Sequence, residues 1–98
     1  MASKKVGPEL IGKLRSLVET IVTSIVDSPD EVEVNIVPAS YRLLVELHTS
    51  PNDAGQVIGK GGHVVDSIRS IVCAFGGRER VRVDFDFVTE QEKTKRFA

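Results

Sequence analysis

A glycine-dense turn within residues 57–65, VIGKGGHVV, is the feature that most constrains what this chain can fold into. Its three glycines interrupt a helical segment, permit positive φ and leave no side chain to block the approach of another molecule's backbone. Apolar spacing typical of a helix begins directly after the turn, so bare N–H groups would face an anion there. Lys60 adds a mobile positive charge at the tip. We therefore expect this loop to clamp a sugar-phosphate backbone.

Length, composition and net charge limit the folds and functions that this chain can have. Its 98 residues suffice for one domain with one modest core. Hydrophobic residues make up 41% and charged residues 28%, which is ordinary for a soluble globular protein. Because 13 Lys and Arg oppose 14 Asp and Glu, nucleic-acid binding would need a local basic surface.

The sequence offers no machinery for catalysis. Cys73 is the single cysteine, which excludes an internal disulfide, and His48 and His63 lack ligand spacing. No Ser-His-Asp set, paired acid and base carboxylates or metal cluster can be recognised. We therefore expect a protein that is not an enzyme and that carries no cofactor or metal. Neither an apolar leader nor a run of membrane-spanning length is present, so we expect a cytoplasmic protein without a membrane contact.

Hydrophobic periodicity predicts six elements in the order helix–strand–strand–helix–helix–strand. Their predicted ranges are 8–26, 31–37, 41–49, 54–58, 63–75 and 78–88. Residues 38–40 form the predicted connection between the first two strands, too long for a two-residue hairpin. Gly76 and Gly77 supply the predicted stop of the last helix. Residues 1–7 are predicted to be a flexible arm and residues 89–98 a charged tail, on either side of one domain at 8–88.

Three amphipathic strands and three helices predict an α+β fold, with one sheet covered by helices on a single face. The predicted buried side of the helix at 63–75 consists of Val64, Val65, Ile68, Ile71, Val72 and Phe75. The opposite face of the sheet carries the charged residues Glu33, Arg42, Glu46, Arg82 and Asp84. Mixed charges of this kind indicate a surface in solvent, although Leu44 interrupts them and could be covered.

Two nucleotide-binding motifs can be excluded at the glycine turn. A Walker A loop needs four residues between its glycines and a hydroxyl residue after the lysine. Here only three residues separate Gly55 from Gly59, and Gly61 follows Lys60. The dinucleotide pattern Gly-x-Gly-x-x-Gly does not fit the spacing either. Taken alone, Gly-x-x-Gly between two helices is also the pattern of an ordinary tight turn.

The order of the surrounding elements favours a more specific interpretation. Strand, short helix, Gly-x-x-Gly, longer helix and strand, from residue 41 to residue 88, resemble the minimal unit of the KH domain. The helix and strand in front resemble the type II arrangement, in which the sheet is mixed and the additional elements precede the core. The resemblance covers nearly all of residues 8–88 and is strongest to the small bacterial stand-alone KH RNA-binding proteins of the KhpA type. Asp66 departs from it, because a basic residue would suit the groove better.

The KH resemblance implies binding of single-stranded RNA, and possibly single-stranded DNA, in an RNA chaperone or a post-transcriptional regulator. The RNA-binding residues that it implies are Val57, Ile58, Gly59, Lys60, Gly61, Gly62, His63, Val65 and Arg69. Backbone N–H groups of residues 61–63 would meet phosphates, and apolar residues with Ala54 would receive bases. For Arg69, an ion pair with Asp66 or Asp53 is an equally good alternative.

A second function stays open at this point. The chain could be a protein-interaction or ribonucleoprotein-assembly subunit that uses its first helix or its sheet edge, with little direct RNA binding. The resemblance also implies a partner, which would be a second copy or another KH-containing RNA-binding protein.

Overall fold

A three-stranded sheet carries three helices on one face in the computed structural model, which describes residues 7–40 and 42–89. The helices are α1 (Pro8–Thr23), α2 (Ala54–Ile58) and α3 (His63–Glu79), and the strands are β1 (Glu33–Ala39), β2 (Arg42–His48) and β3 (Arg82–Phe87). The central strand β2 pairs antiparallel with β1 and parallel with β3. The predicted α+β fold, the element order and the mixed sheet are therefore confirmed. The predicted arm and tail lie outside the described residues, except for Gly7 and Thr89.

The core fills the space between the helices and the inner face of the sheet. Alternate residues of β2 and β3 are buried there, as the period of two predicts, and β1 contributes Val34. The buried residues of the apolar cluster are Leu10, Leu14, Val18 and Val22 of α1, Val34, Leu43, Val45, Leu47, Val83, Phe85 and Phe87 of the sheet, and Val57, Ile68, Val72 and Val81. Every layer thus contributes to one apolar cluster.

The connection from α1 to β1 is longer than predicted. α1 ends at Thr23, not at residue 26. The hydroxyls of Thr23 and Ser24 each donate to the carbonyl four residues earlier at 2.6 Å, a bond that competes with regular helix geometry. Pro29–Glu31 then forms a 3₁₀ turn. As a result, β1 begins at Glu33 and not at residue 31.

The hairpin between β1 and β2 is tighter than predicted. β1 extends to Ala39, which pairs with Arg42, so the connection is two residues long and the predicted loop at residues 38–40 is wrong. Pro38 lies inside β1, opposite Leu43. Because β1 is an edge strand, a residue without an N–H group can be accommodated there.

The glycine pair predicted to stop α3 lies inside the helix. A Cβ on Gly76 would be 2.6 Å from the carbonyl oxygen of Val81 and 2.9 Å from Cγ2 of Val83, so glycine is needed there for the close approach of α3 to β3. The helix continues to Glu79 and ends where Arg80 takes φ 59°. The N–H of Val81 donates to the Gly76 carbonyl at 2.9 Å, which completes a Schellman motif.

Two further expectations for this half of the chain are wrong for related reasons. Because α3 extends through Glu79, the strand predicted from residue 78 begins only at Arg82. Ile71 was predicted to be buried, but 45% of it is exposed, whereas Ile68 and Val72 face the core. The apolar stripe of α3 is therefore wider than the surface that the sheet covers.

The outer face of the sheet is held by an ion-pair cluster. Arg42 Nη2 lies 2.6 Å from Asp84 Oδ2, and Arg82 Nε lies 3.4 Å from Asp84 Oδ1. Desolvation raises the pKa of Asp84, but the hydrogen bonds and charges of the two arginines outweigh it, so the pKa is lowered. Val37, half of which is exposed, pairs in register with the half-buried Leu44. Because both arginines are paired, this face is not a free basic surface.

The two neighbouring glycines of α3 allow a matched test of the packing. We expect Gly76→Ala to lower the free energy of unfolding by about 2 to 3 kcal/mol, because its Cβ overlaps the backbone of Val81. Gly77→Ala should raise it by about 0.5 to 1 kcal/mol, since Gly77 is exposed and helical with open space around it. Urea unfolding followed by circular dichroism measures both. Similar effects of the two substitutions would contradict the packing role of Gly76.

Candidate nucleic-acid interface

The glycine turn joins α2 to α3 through three positive φ angles. The N–H of Gly59 donates to the carbonyl of Gly55 at 2.9 Å and closes α2. Gly59 then takes φ 74° and ψ 172°, a region essentially restricted to glycine. Gly61 and Gly62 follow in the left-handed region with φ 63° and 81°. The chain therefore reverses within the motif, and α3 begins at His63.

Close packing makes Gly59 the most demanding of these positions. A Cβ there would lie 2.8 Å from Val64 Cβ and 2.9 Å from Val64 N, and no side chain fits into that space. By contrast, a Cβ on Gly61 would meet only the His63 ring, with Cδ2 at an ordinary 3.7 Å. Gly59 thus fixes the loop against α3, whereas Gly61 is needed for its backbone angle alone.

The loop's own hydrogen bonds change which N–H groups could meet a phosphate. The N–H of Gly62 donates to Gly59 at 3.1 Å, and that of His63 donates to the carbonyl of Lys60. Both of these N–H groups, which were predicted to meet phosphates, are therefore used within the turn in this conformation. The N–H of Gly61 takes no part in the two hydrogen bonds that close the turn. This amide lies beside the positive end of α3, and it is the donor that we expect the loop to offer to a phosphate.

The charged and apolar residues around the loop divide into exposed and buried sets. Lys60 and His63 are exposed at the turn. Ile58, at the end of α2, is 38% exposed, and Val65 on α3 is half-buried, as is the predicted neighbour Ala54. Val57 is fully buried, so its side chain supports α2 from the core and offers no surface to a base.

Arg69 makes the ion pair with Asp66 that was considered as an alternative to a phosphate contact. Its Nη1 lies 2.8 Å from Asp66 Oδ1, one helical turn away. The alternative ion pair between Arg69 and Asp53 is not formed, because the Asp53 carboxylate is buried away from Arg69.

Asp53 is a structural residue that sequence reasoning missed. It is 1% exposed, and its carboxylate accepts hydrogen bonds from the N–H groups of Asp27 at 3.3 Å and Ser28 at 3.0 Å. These bonds attach the connection after α1 to the start of α2. The only sequence signal was its place after Pro51, at a helix start, where an acceptor side chain is common.

Other kinds of site find little support in the described residues. Within residues 7–40 and 42–89, no group of three or more His, Cys, Asp or Glu is placed to hold a metal ion. Phe85 and Phe87 face the core and Phe75 is half-buried, so the described part of the sheet offers no aromatic platform for stacked bases. In the same part of the chain, no helix is long and apolar enough to cross a membrane.

The different structural requirements at Gly59 and Gly61 can be tested by measuring the stability of substituted proteins. We expect Gly59→Ala to lower the free energy of unfolding by at least about 2 kcal/mol, from unfavourable φ and overlap with Val64. Gly61→Asn should cost less than about 1 kcal/mol, since asparagine tolerates the left-handed region and the space is open. Thermal and urea unfolding measure both. An equal loss at the two positions would contradict the described loop.

Comparison with known proteins identifies the family. A family model described as "KhpA/KhpB, KH domain" matches residues 15–87. The protein named "RNA-binding protein KhpA" from Clostridium acetobutylicum is 39% identical over 75 residues, which is 76% of this chain and all of the relative. The protein of the same name from Mycobacterium tuberculosis is 43% identical over 67 residues, which is 68% of this chain and 82% of the relative. A Caldanaerobacter subterraneus relative with this name is 40% identical over 72 residues, 74% of this chain and 96% of the relative.

The resemblance inferred from the sequence is thereby confirmed. The match spans α1 from residue 15 to the end of β3, and the fold within it has the element order of a type II KH domain. The chain belongs to the KhpA/KhpB family of KH domains.

Proposed function

We propose that this protein binds single-stranded RNA through the Gly59–Gly62 loop and is not an enzyme. The observation that carries the proposal is the loop itself: its Gly61 N–H takes no part in the hydrogen bonds that close the turn, and the exposed Lys60 precedes it. The relatives named RNA-binding proteins and the KH family assignment support it. Single-stranded DNA shares the phosphate chemistry and would be a weaker substitute.

The phosphate contacts would involve few groups. The Gly61 N–H donates to one phosphate at the positive end of α3, and Lys60 adds a charge contact to the same or the next phosphate. Gly59 and Gly62 shape the turn and leave room for the sugar-phosphate backbone of the RNA. His63, whose ring lies beside Gly61, flanks this path.

The bases would lie against apolar side chains of the flanking helices. Ile58 and Val65 provide this surface, while Val57 holds α2 in place from below. Because the described sheet presents no aromatic platform, base contacts are limited to van der Waals packing. A KH loop grips about four nucleotides. We therefore propose modest affinity and weak sequence preference.

We propose the cellular role of an RNA chaperone or post-transcriptional regulator in the bacterial cytoplasm. Because one KH loop contacts so few nucleotides, a second linked binding module would raise the overall affinity for RNA through its effective concentration. We accordingly propose that the protein acts with a partner, either a second copy or another KH-containing RNA-binding protein. The family description, which joins KhpA and KhpB, supports a KH partner.

One observation favours a second function, as a protein-interaction or ribonucleoprotein-assembly subunit. Val37 is half exposed on the edge strand β1, next to Leu44, and could pack against a partner protein. In that case the loop would contribute little to binding. The experiment below separates the two functions.

A charge reversal at the loop tests the clamp. We expect Lys60→Asp with Gly61→Asp to weaken binding of single-stranded RNA roughly tenfold to a hundredfold, because carboxylates would face the phosphates. The matched control is Lys60→Asn with Gly61→Asn, which has the same shape without the negative charges. It should lose less affinity and should lower the salt slope by about one unit, for one lost phosphate contact. Mobility-shift titrations at several salt concentrations measure all three proteins.

Unfolding curves of the variants establish that each is folded. Equal RNA affinity of the folded double-Asp variant and the natural chain would contradict the clamp and favour the interaction subunit. Equal losses in the double-Asp and double-Asn variants would contradict the electrostatic part of the proposal.

A further inference from the structure

An acidic side chain lies beside the loop that is proposed to receive phosphate. Asp66 stands in the first turn of α3, and 68% of its side chain is exposed. Its Oδ2 lies 3.8 Å from the place that a Cβ on Gly62 would occupy, while its Oδ1 is 2.8 Å from Arg69 Nη1. One carboxylate thus faces the loop with one oxygen and holds the neighbouring arginine with the other.

This arrangement has two electrostatic consequences for an approaching phosphate. The Asp66 carboxylate is a negative charge at the helix end whose N–H groups and dipole would otherwise favour the ligand. In addition, the guanidinium of Arg69 is directed to Asp66 and contributes little net positive charge. Lys60 is then the positive charge at this end of α3 that remains to attract the RNA.

We propose that Asp66 is a negative determinant of RNA affinity, which repels the phosphate at the loop and withholds Arg69 from it. The inference rests on the proposed function and names a residue that sets the strength of that same site. Removal of the Asp66 charge would let Arg69, whose side chain is 46% exposed, turn to the phosphate backbone. The natural sequence therefore favours weak binding over tight binding.

The test uses Asp66→Asn, which keeps the shape of the side chain and removes its charge. Glu9→Gln is the matched control, because Glu9 is also an acid in the first turn of a helix. It lies far from the loop: Lys13, one turn along α1, is 4.0 Å from Glu79 at the opposite end of the 17-residue α3. A helix of that length spans roughly 25 Å.

We expect Asp66→Asn to tighten binding of single-stranded RNA about threefold to tenfold at low salt, and less at high salt as the repulsion is screened. At roughly 0.1 M salt, where the Debye length is only about 10 Å, Glu9→Gln should change affinity less than about twofold. Arg69→Gln should weaken binding less in the natural chain than in the Asp66→Asn background, where the guanidinium is free to reach a phosphate. Such non-additivity reports that the arginine is released to the ligand.

The outcomes distinguish this inference from the proposed function. If Asp66→Asn binds like the natural chain or more weakly, while the double-Asp loop variant still loses affinity, the role of Asp66 is wrong and the clamp stands. If Glu9→Gln gives the same gain, the effect is one of net charge and the role of Asp66 is also wrong. If the double-Asp loop variant binds normally, the clamp is wrong and this inference falls with it.

Discussion

The close approach of α3 to its neighbours at both ends is the constraint on which the rest of the structure depends. At its start, Val64 occupies the space where Gly59 would carry a side chain, and at its end Gly76 lies against the backbone of Val81. Between these contacts, Ile68 and Val72 are buried in the core. The geometry of the glycine loop is therefore set by the packing of the domain, and the loop is presented in one orientation.

Local patterns were sufficient for the architecture, because a period of two or of 3.6 depends only on neighbouring residues. Alternation in the three strands predicted which residues face the core, and the element order on either side of Gly59–Gly62 predicted the KH fold. The roles of Gly76 and Asp53 could not be predicted in the same way. A glycine near a helix end is a common stop signal, and only the position of β3 makes Gly76 a packing residue. Asp53 bonds to Ser28, which lies 25 residues away along the chain.

The structure adds detail to the candidate site that the sequence could not supply. Sequence spacing placed the loop between two helices but could not show that the N–H groups of Gly62 and His63 are used inside the turn. Their pairing depends on the three positive φ angles acting together. Nor could spacing decide between phosphate and carboxylate as the partner of Arg69, since both are within reach of a flexible side chain. The contacts of the site with RNA stay predictions.

Charge is distributed so that little free positive potential is left on the described surface. Arg42 and Arg82 bind Asp84 on the outer face of the sheet, and Arg69 binds Asp66 beside the loop. With a net charge of −1, the chain has no general attraction for nucleic acid. Binding then has to come from the shape of a narrow loop and a few donors. This charge distribution supports the proposal that the protein binds RNA with modest affinity and acts with a partner.

Amide chemical-shift mapping by nuclear magnetic resonance tests the central claim most directly. The chain would be titrated with a single-stranded RNA of about eight nucleotides, twice the length that a KH loop grips. The account predicts that the largest shifts fall on residues 58–66, with Gly61 foremost, while Val37 and Leu44 on the outer face of the sheet stay unchanged. Shifts concentrated on that outer face or on α1, with residues 58–66 unaffected, would contradict it.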